Sequence, residues 1–429
     1  MAATARPRIV VLGAGFAGLR AIRILSRGGQ RVLWVDGRNY HTFLPLLYQV
    51  ATAGLEPQAI AYPTRSFLRR RPGVDFRLAR IVGGDAGART LLTGDGEQIA
   101  YEYLLVATGG AAADFGIPGV RAHAFNLYDV EDARALRNHA LELLERAAVT
   151  PDSPARRALL TFVIVGGGPT GVETAGALAE FRRHVVPSDY PSIPPEQLRI
   201  VLVEARDAVL GTFASSLQLR ARRDLEHFGI EIRLGASVAR VGPEGVDLAG
   251  GEHLAAGTVV WAAGIRAADV AGRLGLPTGR SGRIRVASTL EVVDHPGVFA
   301  AGDVALVEGA EGLPQVAQVA IQGGSHAAEN ILRAIAGRPL ESFRYRDKGA
   351  MATIGRSRAI AEIGRLRLSG PLAWWAWLLL HLVMLIGFRN RLVVLIDWAW
   401  NYVTYDRGLR AIIGPDRAAG ENYASWETR

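Results

Sequence analysis

Two glycine-rich turns carry the residue types and spacing that most directly indicate chemistry. GAGFAG and GGGPTG each stand where a strand-like run meets a helix-like run, with glycines at Gly13, Gly15 and Gly18 and again at Gly166, Gly168 and Gly171. In such a turn the first glycine permits the bend, the second lets the backbone approach a pyrophosphate, and the third lets helix and strand pack closely. The helix N-terminus then offers free N–H groups to phosphates. The pattern predicts two dinucleotide sites.

An acidic residue ends the strand that follows each turn. Asp36 stands 23 residues after Gly13, and Glu204 ends IVLVE. A carboxylate at this position accepts hydrogen bonds from ribose hydroxyls. Because Glu204 would repel a 2′-phosphate, the second site is predicted to prefer NADH to NADPH. Arg206 leaves NADPH open, since an arginine there can bind that phosphate.

The segment PQVAQVAIQGG, residues 314–324, predicts a helix with amides on one face. Gln315, Gln318 and Gln322 are three and four residues apart, with small or apolar residues between them. Neutral donors and acceptors beside small side chains suit a flat ligand with polar edges. The alternative is a helix packed at a polar seam between domains.

Composition excludes several classes of protein. The chain has 429 residues, 49% of them hydrophobic, which indicates two or three folded domains. It has no cysteine, which excludes thiolate metal sites, iron–sulfur clusters and cysteine redox chemistry. No metal site is predicted. The net charge of +8 favours an anionic membrane surface or anionic cofactors, whereas no nucleic-acid-binding motif is present and no nucleic-acid partner is predicted.

The elements that must position these residues form an α/β fold. Both glycine turns lie in strand–turn–helix–strand runs, the opening of a doubly wound parallel sheet. YEYLLVATGG, TVVWAAGIRA and VFAAGDVA are apolar strands that end in small residues. Proline-rich joints indicate that the second fold is inserted in the first. After MAATARPR a strand-like run begins at once, so no signal peptide is predicted and the catalytic part is expected to be cytoplasmic.

Six motifs together resemble the type II NADH:quinone oxidoreductases: GAGFAG, NYHTFLPLLYQVATAGLEP, GGGPTGVETAG, VVWAAGIRA, FAAGDVA and AQVAIQGG. The resemblance covers nearly the whole chain. It implies two Rossmann-like dinucleotide-binding domains and a C-terminal membrane-anchoring helical segment. The domains would be 1–120 with 285–345 for FAD, 121–284 for NADH, and 346–429 for anchoring and dimerisation. NADH would be oxidised through FAD by a membrane quinone, ubiquinone or menaquinone, without proton pumping.

The resemblance also assigns residues. FAD would be bound by Gly13, Gly15, Gly18, Asp36, Thr108, Gly109, Gly302, Asp303, Ala317 and Gln318. NADH would be bound by Gly166, Gly168, Gly171, Glu173, Glu204 and Gly264. Glu173, Gln318 and Gln322 would be the catalytic residues that contact quinone. Two alternatives remain open from the residues alone: Glu173 satisfies a helix N-terminus instead, and His41 is either a buried structural histidine or a proton donor.

The C-terminal tail changes character. Residues 368–388 carry no formal charge and are long enough to span a bilayer. Trp374, Trp375 and Trp377 at one end, and RNR at the other, favour a segment that lies in the membrane interface. The family likeness implies helices in one leaflet that support a homodimer, on the cytoplasmic side of the cell inner membrane. A buried hairpin of a soluble dimer is the alternative.

Two other functions remain as alternatives. One is a soluble NAD(P)H-dependent flavin reductase for a protein acceptor, and the other is a membrane-bound NADH sensor. Sulfide:quinone oxidoreductase chemistry is excluded because it requires redox cysteines.

Overall fold

Two parallel sheets organise the chain in the computed structural model, which describes residues 9–69, 71–404 and 409–414. The MAATARPR segment lies outside the described residues, as do 405–408 and 415–429 of the predicted anchoring region. The first sheet has five parallel strands, in the order Val298–Ala300, Tyr103–Val106, Ile9–Leu12, Val32–Asp36 and Val74–Leu78. Its central strand is buried throughout, because helices and loops cover both faces of a parallel sheet.

The second sheet repeats this plan. Its five parallel strands are, in order, Phe125–Asn126, Thr258–Trp261, Thr161–Val165, Arg199–Glu204 and Glu231–Leu234. The antiparallel strands Gly110–Ala112 and Ile265–Ala267 pair where the chain leaves the first sheet and where it returns. The predicted α/β Rossmann-type fold is therefore confirmed, while the exact domain boundaries stay a prediction.

Three helices matter most for the site, and each has a name below. The first glycine helix is Phe16–Arg27, the second glycine helix is Pro169–His184, and the amide helix is Ala317–Ile335. The amide helix begins three residues later than Pro314, so Gln315 precedes it and the predicted three-amide face is wrong in that respect. Other helices are Leu47–Ala51, Pro57–Ile60, Thr64–Leu68, Val120–His123, Val130–Val149, Pro154–Leu159, Val186–Asp189, Ser215–His227 and Val270–Arg273, with 3-10 turns at Leu44–Leu46, Pro195–Gln197 and Arg280–Gly282.

Small sheets surround the two large ones. Three-stranded antiparallel sheets are formed by Ile81–Asp85, Thr90–Thr93 and Gln98–Ala100, and by Val238–Gly242, Gly245–Leu248 and His253–Ala255. Two-stranded pairs are Tyr40–Thr42 with Ala61–Pro63 and Ile284–Val286 with Ala305–Val307. The proline-rich excursion at 185–197, predicted to be a loop and not a helix, contains the helical turn Val186–Asp189 and the 3-10 turn Pro195–Gln197, so that prediction is wrong in part.

The C-terminal region is a third unit of structure. It consists of the antiparallel sheet Ala350–Gly355, Arg358–Ile363 and Leu366–Ser369, followed by helices Pro371–Met384 and Phe388–Thr404, the two C-terminal helices. The uncharged run 368–388 is thus divided between a strand end, a 14-residue helix and a turn. Within the described residues, no helix combines the length and apolar character needed to cross a membrane.

Candidate functional site

The glycine turns have backbone geometry that only glycine fits. Gly13 has φ +103°, and a methyl group there would lie 2.2 Å from the carbonyl oxygen of Ala107. Gly166 has φ +112°, and its methyl would lie 2.8 Å from the carbonyl of Ala262. In both folds the turn therefore presses against the end of a neighbouring strand, where a side chain would clash.

The remaining glycines of each turn divide into a packed and an open position. A methyl on Gly18 or Gly171 would lie 2.0 or 1.9 Å from the carbonyl oxygen of the first glycine in its own turn. In front of Gly15 and Gly168, by contrast, no described atom approaches closer than 4.0 Å. This open space beside a helix N-terminus fits a pyrophosphate in each fold.

The two acids are fixed by the turns they follow. Asp36 Oδ2 accepts a hydrogen bond from the Ala14 N–H at 2.5 Å, and Glu204 Oε2 accepts one from the Gly167 N–H at 2.5 Å. The other oxygen of each carboxylate accepts from the N–H two residues further on. The same anchoring therefore places a carboxylate beside each turn, where a ribose would lie.

The amide helix converges with the first glycine helix. A methyl on Gly324 would lie 2.2 Å from the carbonyl oxygen of Ala17, so the two backbones touch. Gly302, at φ +82°, lies against both helices, since a methyl there would be 3.3 Å from Ala320 and 3.5 Å from Ala17. The strand end AGD and two helix N-termini consequently lie next to one another. Their small residues leave room for a ring system.

Asp303 is half-buried at this convergence and has a partner that the sequence did not reveal. The Tyr128 hydroxyl donates to Asp303 Oδ2 at 3.1 Å. Burial raises the pKa of Asp303, while Tyr128 and Arg283 oppose the shift. Thr108 precedes Gly109, which has φ +73°. The hydroxyl of Thr108 is buried and has no hydrogen-bond partner among the described residues. An orphaned hydroxyl at a predicted FAD contact fits a missing polar ligand.

His41 supports the first glycine turn. Its side chain is buried, and Nδ1 lies 2.7 Å from the carbonyl oxygen of Ala14. Burial lowers the pKa of His41 to about 4. The ring is therefore neutral at neutral pH, and Nδ1–H donates to that carbonyl, which favours the structural interpretation of this histidine over a proton donor.

The three glutamines have different partners. Gln315 Nε2 donates to the carbonyl of Asp303 at 3.1 Å. Gln322 is clasped by Arg346, donating to its carbonyl at 2.9 Å and accepting from its N–H at 3.0 Å. The side chain of Gln318, in the first turn of the amide helix, forms no hydrogen bond with any described residue. Only Gln318 therefore presents an uncommitted amide, and the predicted quinone contact of Gln322 competes with its bonds to Arg346.

Glu173 is buried between the second glycine helix and the C-terminal sheet. A methyl on Gly176 would lie 1.9 Å from the carbonyl oxygen of Ile354, so the strand touches the helix backbone. Glu173 Oε1 accepts from the Thr353 N–H at 3.3 Å. Burial raises the pKa of Glu173 to about 8, against the opposing effects of Thr353 and the nearby Trp377. The helix N-terminus alternative fails, because the carboxyl's partner belongs to another element.

Aromatic side chains of the C-terminal helices cover this region. Trp377 is buried, stacks on His381 at 3.9 Å between ring centroids, and lies edge-on to Tyr48. Trp398 Nε1 donates to Gln49 Oε1 at 2.8 Å. The tryptophan-rich tail and PLLYQVA, separate motifs in sequence, therefore form one wall. Sequence reasoning placed Trp377 in the membrane anchor and missed its place beside Glu173.

Two further polar contacts fasten the helix Phe388–Thr404 to the same segment. Asn390 Nδ2 donates to the carbonyl of Ala59 at 2.9 Å, and Asn401 Nδ2 donates to that of Gly54 at 3.1 Å. The inner face of this helix thus binds the backbone that leads out of PLLYQVA.

Gly264, a predicted NADH contact, lies at the joint between the two folds. It has φ +72°, and a methyl on it would lie 2.1 Å from Phe115 Cζ. Phe115 itself is 66% exposed and has φ +53°. The ring therefore rests on the glycine in the structure, an arrangement that no sequence motif signalled.

Fold and site together define an oxidoreductase with two dinucleotide-binding folds and an added C-terminal unit. Residues 7–324 match the pyridine nucleotide-disulphide oxidoreductase family, and residues 348–404 match the NDH2 C-terminal domain. The chain belongs to the type II NADH:quinone oxidoreductases, which confirms the resemblance found in its motifs.

Two proteins of Mycobacterium tuberculosis illustrate this relationship. Type II NADH:quinone oxidoreductase Ndh is 36% identical over 94% of this chain and 89% of its own length, and NdhA is 37% identical over 95% and 89%. The structure of NDH2 from Plasmodium falciparum in complex with NADH superposes with a TM-score of 0.86 at 20% identity. It covers 96% of this chain and 100% of the other, a likeness of fold.

Proposed function

We propose that this protein oxidises NADH and transfers two electrons through FAD to a membrane quinone. FAD held by the first fold would supply the two-electron redox chemistry between NADH and the acceptor. The observation that carries the site assignment is the convergence of two helix N-termini with the AGD strand end, where Gln318 alone among the three glutamines has an uncommitted amide.

The first fold holds FAD and the second holds NADH in this proposal. The FAD residues are Gly13, Gly15, Gly18, Asp36, Thr108, Gly109, Gly302, Asp303, Ala317 and Gln318. The NADH residues are Gly166, Gly168, Gly171, Glu173, Glu204 and Gly264. No described side chain caps the amide helix at its N-cap residue, Val316. The N–H groups at the start of this helix are therefore available to stabilise negative charge.

Gln318 binds the quinone headgroup. A neutral amide donates to a quinone carbonyl without placing a charge against an apolar ring. Gln322 is mainly a positioning residue, because its hydrogen bonds to Arg346 hold the loop that leads to the C-terminal sheet.

Glu173 holds a proton for the quinone. Because burial raises its pKa to about 8, the carboxyl is largely protonated at pH 7 and has an O–H to donate. Thr353 and Trp377 fix its surroundings, and the aromatic wall keeps bulk water from this carboxyl.

The two C-terminal helices attach the enzyme to the membrane surface. Their outward side chains are large and apolar, including Leu372 (71% exposed), Phe388 (82%) and Val403 (77%), with exposed Trp375 and Trp400 among them. Such a face suits the interfacial layer of a bilayer, where tryptophan is preferred. We place the enzyme on the cytoplasmic side of the cell inner membrane, as a homodimer supported by the 346–429 region.

A Gln318→Leu variant tests the site. Losing one hydrogen bond to a quinone carbonyl of about 0.5–1.5 kcal/mol lowers kcat/KM for quinone about 2- to 13-fold, whereas NADH should still bleach the flavin at an unchanged rate. Stopped-flow absorbance separates the two half-reactions. Gln98→Leu, at an exposed strand position outside the site, is the matched control. Unaltered quinone kinetics in Gln318→Leu would remove the assignment.

A further inference from the structure

Five arginines gather beside the turn that joins the two C-terminal helices. Arg20, Arg23 and Arg27 are three and four residues apart on the first glycine helix, so they share one face. Arg71 and Arg391 join them from two other parts of the chain. We call these five side chains the arginine cluster.

One buried ring holds two of the guanidinium groups together. Arg71 Cζ lies 3.7 Å and Arg23 Cζ 5.2 Å from the ring centroid of Phe67. The Nε of Arg23 is buried and has no hydrogen-bond partner among the described residues. Cation–π contact with the ring keeps these two charges in place without neutralising either.

Arg391 brings the cluster to the edge of the apolar face. Its Nε donates to the carbonyl of Leu385 at 2.7 Å, and Nη2 donates to that of Val383 at 2.8 Å. The same turn contacts the strand Ala61–Pro63, because a methyl on Gly387 would lie 2.6 Å from the Tyr62 ring. Val383 is 57% exposed and so belongs to the outward apolar face that the cluster borders.

Among the described residues, no carboxylate pairs with the arginine cluster. Within the described ranges, none of its five members forms an ion pair. Burial lowers the pKa of Arg23, and the neighbouring charges of Arg71, Arg20, Arg27 and Arg391 lower it further. Packing like charges together disfavours the charged state unless an anion is bound. Elsewhere on the surface many arginines have carboxylate partners.

We propose that the arginine cluster binds the phosphate of an anionic phospholipid at the membrane surface. Guanidinium groups bind phosphate oxygens in bidentate fashion, and several on one face accommodate more than one headgroup. A soluble phosphate would use the charges alone, whereas a lipid also accounts for the apolar side chains directly beside them. The proposal rests on the proposed membrane attachment and adds a headgroup preference supplied by the FAD-binding fold.

Vesicle flotation of the full-length, flavin-loaded enzyme tests this proposal. The probes are phosphatidylcholine vesicles and vesicles with added phosphatidylglycerol. The test variant is Arg23→Gln/Arg71→Gln, and the control is Arg222→Gln/Arg240→Gln, which removes equal charge from exposed arginines paired with Glu226 and Asp247. Arg27→Gln, at an exposed position, is a milder second variant.

We expect phosphatidylglycerol to increase the affinity of the wild type for vesicles. In the test variant this increase should be smaller by about tenfold or more, because each basic residue near an anionic surface contributes about 1 kcal/mol. Arg27→Gln should lose a smaller part, and the control should keep the gain. An equal loss in test and control variants, or no gain for the wild type, overturns the headgroup site. Failure of the wild type to bind phosphatidylcholine would instead count against the apolar anchor. Flavin content and activity with a short-chain quinone in detergent verify that each variant is folded.

Discussion

The two Rossmann folds have nearly the same nucleotide turn but different covering elements. In the first, Gly324 of the amide helix meets Ala17, which adds a second helix N-terminus to the site. In the second, Gly176 of the glycine helix itself meets Ile354 of a strand, and this contact buries Glu173 against the C-terminal sheet. The turn determines that a dinucleotide binds, and the covering element determines what chemistry surrounds it.

The largest expected effect comes from replacing the first glycine of one turn. Gly13→Ala combines φ +103° with a carbonyl oxygen at 2.2 Å, a strain of about 2–4 kcal/mol, and should abolish FAD retention. Gly166→Ala, whose nearest contacts are at 2.8 Å, should keep its flavin and raise the KM for NADH about tenfold. The ratio of flavin to protein absorbance and steady-state kinetics measure both.

Equal flavin loss in the two variants would break the comparison, because it would mean that the folds are one cooperative unit. Gly312→Ala is the control, since a methyl there meets no atom within 4 Å and the residue lies outside both glycine turns.

The next effect concerns the buried carboxyl of the second fold. The pKa of Glu173 is about 8 in the folded protein and about 4.5 when the chain is unfolded. Between these values the folded protein binds more protons, so wild-type stability falls as pH rises, by up to about 1.4 kcal/mol per pH unit. Glu173→Gln cannot ionise at this position. The unfolding midpoint of the variant should therefore rise relative to that of the wild type between pH 4.5 and 8, and above pH 8 the difference between the two midpoints should stay constant.

Thermal unfolding across this pH range measures the difference, and quinone reduction by the variant should lose the inflection near pH 8. Glu226→Gln, at an exposed salt-bridged site, is the control. Parallel curves for wild type and Glu173→Gln throughout would show that this carboxyl titrates normally.

The smallest effect distinguishes the two anchoring acids. Glu204→Gln removes the charge that repels a 2′-phosphate and leaves one side-chain oxygen to accept a backbone N–H, so the NADH/NADPH ratio of kcat/KM should fall about tenfold or less. Flavin content should not change. Asp36→Asn should do the reverse, weakening flavin retention with the nucleotide preference intact, and a shift of preference in that variant would contradict the assignment of the folds.

Local requirements explain what could be predicted from sequence. The glycine turns and their acids were identified because positive φ angles, close backbone approach and the strand-end carboxylate all lie within short runs of sequence. The α/β order followed from the same runs. The start of the amide helix was misplaced because a proline and a periodic pattern do not show where the first helical hydrogen bond forms.

Long-range contacts explain what could not be predicted. Tyr128 and Asp303 are 175 residues apart, and Glu173 and Thr353 are 180 apart. The bonds of Gln322 to Arg346 depend on how the chain returns after the amide helix. In the tail, composition indicated one continuous apolar segment, whereas Gly370 and Gly387, both at positive φ, divide it into a strand end, a helix and a turn.

The hydrogen bonds between the helix Phe388–Thr404 and the backbone at 54–59 have a consequence for the solubilised enzyme. If the outer side of this helix lies in lipid as proposed, a detergent that replaces that lipid should first loosen, through Asn390 and Asn401, the segment next to the aromatic wall. We therefore expect harsh extraction to impair the proposed acceptor pocket first and to leave a yellow protein that still reduces small water-soluble dyes but no longer reduces a lipid-soluble quinone.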